Sequence, residues 1–247
     1  MKDQRILIAG ATSPIARALA RLLAQRGAAL FLASRDLDEV YRIASDIEVR
    51  VGVDVHCGRF EAAAFETHAE LIRDASTKMG GLTGVVMAAG MLGDPVKTRT
   101  NPDYAVSIMQ ANYLGPASLL SHAAIHFEAA DTGFIVGIGS VAGDRGRRNN
   151  YEYGSAKGAF ALFMQGLRSR LNQSGMRVLT VKPGFVDTGM TWGMPGLFLV
   201  ASPKKVAIDI VHALDKRKDV IYSPPFWRWI MLVIRMVPEK LFKRLSI

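Results

Sequence analysis

The chain has 247 residues, 49% of them hydrophobic, which is enough to bury a large core in one or two domains. Its single cysteine, Cys57, excludes an internal disulfide and fits a reducing, cytoplasmic compartment. The formal net charge of +9 points to anionic partners, either a membrane surface or a phosphate-bearing substrate, whereas no basic–aromatic module suggests nucleic acid. The histidines are scattered and build no metal-ligand cluster, the N-terminus shows no secretory signal pattern, and no uncharged apolar stretch is long enough to span a bilayer.

In chain order, an apolar strand over 5–9 ends at Gly10. A helix over 14–23 follows, with Ile15, Leu19, Leu22 and Leu23 on one stripe. A second strand over 29–33 runs into Ser34-Arg35-Asp36, and helical spacing returns through Val40, Ile43, Ala44 and Ile47. The pattern then predicts a strand over 51–57, a helix over 65–79 closed by Gly80-Gly81, a buried strand over 83–89 and one long helix over 103–129. A strand over 133–139, a helix over 151–172, a strand over 176–181, a helix over 203–214 and a short strand over 220–222 complete the series. Continuous apolar strands alternating with helices predict a single-domain, Rossmann-like three-layer α/β/α fold with a seven-stranded parallel sheet.

The turn after the first strand, Gly10-Ala11-Thr12-Ser13-Pro14-Ile15-Ala16, is where such a fold holds a dinucleotide. A glycine lets the pyrophosphate approach the backbone, and the helix N-terminus favours its charge. Proline suits the first helical turn. The motif carries one glycine and equally fits a plain strand–helix turn. At the end of the second strand, Ser34 and Arg35 would bind a ribose 2′-phosphate, pointing to NADP(H) ahead of NAD(H); Asp36 stands one or two positions late for a 2′-hydroxyl ligand and also reads as a helix N-cap.

Tyr153 and Lys157 are one helical turn apart, and an ammonium beside a phenol favours the phenolate, lowering the tyrosine pKa. Ser140, at the end of an apolar strand, could hydrogen-bond the same substrate oxygen. Taken alone, the pair also fits an ordinary helix surface.

With these pieces in order, the sequence resembles the short-chain dehydrogenase/reductase family over nearly its whole length. The resemblance implies Ser140, Tyr153 and Lys157 as catalytic residues, Tyr153 and Lys157 also as cofactor-binding with Lys157 on the nicotinamide ribose, and Asn112 as the helix asparagine that orders a proton relay through a water. It implies that Pro183-Gly184, the Val186 backbone and the Thr188 hydroxyl hold the nicotinamide carboxamide, with Gly10, Thr12, Ser13, Pro14, Ile15, Ala89 and Gly90 along the cofactor. Arg59 and Phe60 stand where the family meets the adenine. Departures occur at Pro14 and Ala16, where the family has glycines, at Met87-Ala88-Ala89-Gly90 and at Arg59. Leu92-Gly93-Asp94, the run from Gly143 to Arg148 and the tail are similar to the family branch of decaprenylphosphoryl-2-keto-ribose reductases, which implies a keto-sugar carried on a polyprenyl phosphate.

Arg145, Arg147 and Arg148 are expected at the active-site mouth, as grips for a substrate phosphate or as a solvated basic loop. An apolar lid over about 188–203, including Met190 and Trp192, is expected to meet an aliphatic chain or to pack as core or dimer contact. The boundaries expected are a domain over 1–223 and an amphipathic extension over 224–247. If the extension is helical over 226–245, Arg228, Arg235, Glu239 and Lys243 share a stripe amid apolar residues; such a helix lies in a membrane interface or packs on the protein's own body or partner. Pro238 would kink it. The function expected is NAD(P)H-dependent reduction of a ketone, either the lipid-linked keto-sugar or a 3-oxoacyl, sterol-like or sphingoid ketone, by a homo-oligomer at the inner face of the membrane or free in the cytoplasm. The rival from another class is a catalytically silent binding subunit.

Overall fold

The computed structural model describes residues 1–193 and 198–245. Seven parallel strands form one sheet: β1 (Arg5–Ala9), β2 (Ala29–Ser34), β3 (Val55–Arg59), β4 (Gly84–Met87), β5 (Phe134–Ile138), β6 (Arg177–Pro183) and β7 (Val220–Ser223), in the order β3-β2-β1-β4-β5-β6-β7. Alternate residues of each strand point to opposite faces, and both faces are covered. Ile6 and Ile8 of β1 and Leu30 and Leu32 of β2 pack beneath α1 (Pro14–Gln25), α2 (Leu37–Val51) and α8 (Pro203–Asp215). Leu7, Phe31, Val85 and Ile135 face α3 (His68–Lys78), α6 (Gly115–Ala130) and α7 (Tyr151–Asn172). Each such fully buried side chain contributes about 1.5–3 kcal/mol.

Short polar side chains start the helices. Ser13, Asp36, Asp94, Asn101 and Ser202 each accept a backbone N–H at the N-termini of α1, α2, α4 (Pro95–Thr100), α5 (Pro102–Met109) and α8. Asp36 is therefore a cap.

Three boundaries differ from the sequence pattern. Residue Val51 belongs to α2, because Gly52 adopts the left-handed conformation and closes the helix on Glu48 O; β3 begins at Val55 rather than at 51. The long helix expected over 103–129 is divided: α5 passes through a π-helical turn, Gln110–Leu114, into α6. The extension is two helices, α9 (Trp227–Met236) and α10 (Glu239–Phe242), broken at Pro238, so the four-residue charged stripe expected of a continuous helix does not form. Trp227 and Met231 of α9 are buried against Val141, while Trp229, Val233 and Met236 are exposed. Among the described residues no helix is long and apolar enough to cross a membrane.

Candidate active site

Strand order reverses between β1 and β4, and the crevice beyond the strand ends at such a point is where open α/β sheets bind ligands. A cavity of about 770 Å³ occupies it. Its floor at one end is the first turn. Gly10 has φ +84, and its N–H and that of Ala11 donate to Ala33 O at 2.8 and 3.0 Å. A Cβ on Gly10 would stand 2.4 Å from Ala89 N, so only glycine lets the turn close against the strand beside it. Thr12, Ser13, Pro14 and Ile15 line the cavity above the start of α1, and the Thr12 and Ser34 hydroxyls hydrogen-bond at 3.0 Å. Arg35 lines the rim with its side chain 71% exposed, in a loose pair with Glu61 at 3.9 Å. Phe60 is buried and lines the same end, with Ala89 and Gly90 along the floor. Arg59 does not line the cavity; at the end of β3 its side chain faces solvent while the next residue, Phe60, turns inward.

The other end collects the reactive groups. Ser140 follows β5 and opens a 3-10 turn, Val141–Asp144. This turn lies directly on α7: a Cβ on Gly143 would meet the Lys157 backbone at 2.6 Å, and one on Gly158 would meet Gly143 O at 2.9 Å. The contact sets Ser140 beside Tyr153 and is the packing signal that the sequence pattern left unread. Ser140 Oγ accepts from Ala142 N at 3.1 Å, which leaves its O–H to donate into the cavity. Tyr153 and Lys157 are both buried and both line the cavity. Burial pushes the Tyr153 phenol above the ordinary tyrosine value, opposed by the Ser140 hydroxyl. Burial also brings Lys157 down to about 8. In the free protein the Lys157 Nζ lies 5.8 Å from the Tyr153 ring centre and donates to Ile138 O at 3.2 Å, so burial sets the direction of the Tyr153 shift before a cofactor is bound. Burial disfavours the charged form of each group, which raises the phenol and lowers the ammonium.

Asn112 is fully buried in the π-helical turn. Its Nδ2 donates to Met91 O at 2.6 Å and to Ile108 O at 2.9 Å, and its Oδ1 accepts from Met91 N at 3.2 Å. The side chain is a clip between the segment after β4 and the helix, and it does not line the cavity. Pro183, Gly184, Val186 and Thr188 line the cavity after β6. Thr191, expected only as part of the lid, ties them: its hydroxyl donates to Val186 O at 2.6 Å and accepts from Thr188 N at 3.2 Å.

The three arginines separate. Arg147 lines the cavity. Arg145, expected at the mouth, points instead to the tail: Nη1 donates to Ile234 O, Arg235 O and Val237 O at 2.8, 3.1 and 2.6 Å, Nη2 pairs with Glu239, and the guanidinium stacks on Phe242 at 3.9 Å. The carbonyls at the α9 C-terminus attract a cation, which accounts for the turn away. Arg148 is exposed and outside the lining. Of the lid, Met190 lines the cavity, Trp192 is 90% exposed and away from it, and 194–197 lie outside the described residues. Asn150, Phe185, Tyr104 and Gln110 also line the cavity and carried no sequence signal.

Residues 4–195 match the short chain dehydrogenase family model. The chain belongs to the short-chain dehydrogenase family. This dehydrogenase is similar to an uncharacterized oxidoreductase of Mycobacterium tuberculosis, 35% identical over 240 residues covering 97% of this chain and 96% of that one. It is 30% identical over 189 residues to a 3-oxoacyl-[acyl-carrier-protein] reductase of Bos taurus, covering 76% and 78% of the two chains. Its fold matches a short-chain dehydrogenase of Sphingobium yanoikuyae in complex with NADPH, with a TM-score of 0.82, 25% identity and coverage of 93% and 92%. The seven-stranded parallel architecture and the oxidoreductase class expected from the sequence both stand.

Proposed function

We propose that this oxidoreductase reduces a ketone to a secondary alcohol with NADPH. The observation that carries the reading is the convergence of Ser140, Tyr153 and Lys157 on one cavity, with burial keeping Tyr153 protonated. A cavity floored by Gly10, where no side chain fits, and running to Lys157 suits a dinucleotide. When bound, the dinucleotide supplies the hydride that reaches the carbonyl carbon. Tyr153 Oη gives its proton to the carbonyl oxygen. The Ser140 hydroxyl donates a hydrogen bond to that oxygen and stabilises its developing charge. Lys157, with one N–H on Ile138 O, has two left for the cofactor ribose, and its ammonium balances the phenolate formed on proton transfer. Asn112 ties the Met91 segment to the helix through its side chain, and from there it would order a relay water that links Lys157 to solvent.

Exposed Arg35 next to Ser34, and the NADPH held by the Sphingobium relative, support NADP(H) over NAD(H). The bovine relative supports a 3-oxoacyl or other lipophilic ketone; the branch resemblance of the sequence supports a keto-sugar on a polyprenyl phosphate. Exposed Trp229, Val233 and Met236 with basic Arg228 and Lys240 support peripheral membrane contact by 224–247, and exposed Val106, Met109 and Leu162 support a homo-oligomer. The test is oxidation of NADPH and of NADH with a lipid-linked 2-keto-pentose and with a 3-oxoacyl thioester. NADPH is expected to be used preferentially, and Arg35→Ala should raise the KM for NADPH about tenfold while leaving that for NADH unchanged, a loss equivalent to one charged hydrogen bond. Binding of NADPH with no turnover of either ketone class would favour a silent binding subunit.

A further inference from the structure

Arg147 carries a charge that the protein does not neutralise. Its side chain is half-buried at the cavity wall. Nε is buried with no hydrogen-bond partner, and Nη2 reaches only the thioether of Met231 at 3.5 Å. Asp144 is the nearby carboxylate, but its two oxygens are taken by Lys182 Nζ at 2.5 Å and by the Tyr222 hydroxyl at 2.7 Å. Among the described residues Arg147 has no ion pair. An unpaired cation is costly to bury unless a counter-ion joins it.

A second observation lies one turn away. Asn150 occupies the N-cap position of α7, where an asparagine oxygen ordinarily accepts a first-turn N–H. It makes no such bond; its Oδ1 is buried without a partner, and the residue lines the cavity. Its N–H donates to Arg147 O at 3.2 Å, so one tight turn carries both unsatisfied groups. Glu152, the carboxylate of that helix turn, interacts with the Tyr151 phenol and does not line the cavity. Tyr153 follows Asn150 by three residues, about 4.5 Å of helical rise.

We propose that Arg147 and Asn150 form an oxyanion-recognising end of the substrate site: the ketone carries a phosphate or carboxylate that pairs with Arg147 and a hydroxyl that donates to Asn150. The proposal rests on the ketone-reductase reading but is tested by binding alone. Calorimetric titration is run with NADPH saturating, using dihydroxyacetone phosphate against dihydroxyacetone, and acetoacetate against methyl acetoacetate. The anion of at least one pair should bind about tenfold to a hundredfold more tightly than its neutral partner, as charged hydrogen bonds allow. Arg147→Ala should erase that preference and Arg147→Lys retain part of it, while Asn150→Ala weakens only the hydroxylated probes. A preference in the first pair assigns a phosphate, and one in the second a carboxylate. Equal binding within both pairs by the unaltered protein, or a preference that survives Arg147→Ala, overturns the proposal. Arg147→Met, close in volume, replaces Arg147→Ala if the latter does not fold. Failure of NADPH itself to bind in the control titration counts against the reductase reading rather than against the subsite.

Discussion

Replacing Tyr153 by phenylalanine is expected to lower kcat for ketone reduction by about 10²- to 10⁴-fold, the usual contribution of a positioned proton donor. The NADPH dissociation constant should stay near its original value, because the phenol touches the reacting oxygen while the cradle around Gly10 is remote from it. The pH dependence separates the two titrating groups. Lys157, brought down to about 8 by burial, is an ammonium below that pH and a neutral amine above it. Tyr153 is raised, so it is still a phenol when Lys157 has lost its proton. Reduction needs the phenol to give a proton and the ammonium to balance the charge left behind. The kcat/KM for NADPH should therefore fall as pH rises through about 8, with Lys157 as the responsible group. Stopped-assay rates of Tyr153→Phe within tenfold of the original enzyme, or a flat profile across that range, would refute the assignment.

The legible part of this protein follows from periodicity. Helix α7 matches its sequence pattern end to end, because the long apolar stripe of Tyr151–Asn172 carries no proline and outweighs the cost of its three glycines. The parallel sheet follows from apolar strands that both faces cover. The illegible part comes from single conformational choices and from distant partners. The left-handed conformation of Gly52 moved the start of β3; the glycine is the one local cue, and the apolar alternation of 51–57 masked it. The partition of Arg145 and Arg147, two residues apart in an irregular turn, depends on carbonyls at Ile234–Val237 some ninety residues later. Val186 and Thr188 are joined by Thr191, whose role needs a fold back of the chain that no local pattern predicts. The close seating of Gly143 on α7 was written in the chain, since Gly154 and Gly158 stand four apart on the helix face that meets it, beside Ala142 O and Gly143 O.

Replacing Arg145 by alanine is expected to destabilise the protein by about 2–3 kcal/mol, because it strips a charged donor from three helix-end carbonyls. For a chain of this length that corresponds to a Tm lower by roughly 5–10 °C. The Glu239 pair adds little to this figure, since that carboxylate is 78% exposed and screened by water. The larger consequence is local. Trp227 and Met231 of α9 pack on Val141, the residue next to Ser140, and Met231 is also the contact of Arg147. Release of the α9 C-terminus loosens the wall against which both the Ser140 turn and the Arg147 side chain rest. Arg145→Ala should therefore expose the tail to limited proteolysis near Pro238 and raise the KM for the ketone, with NADPH affinity retained. Arg148→Ala, at an exposed side chain outside the cavity, should change stability by no more than about 0.5 kcal/mol and leave both constants alone. The three neighbouring arginines would then separate by readout: stability and tail order for Arg145, anion preference for Arg147, neither for Arg148. An Arg145→Ala protein with the original Tm and an uncleaved tail would show that α9 holds its place without the cap.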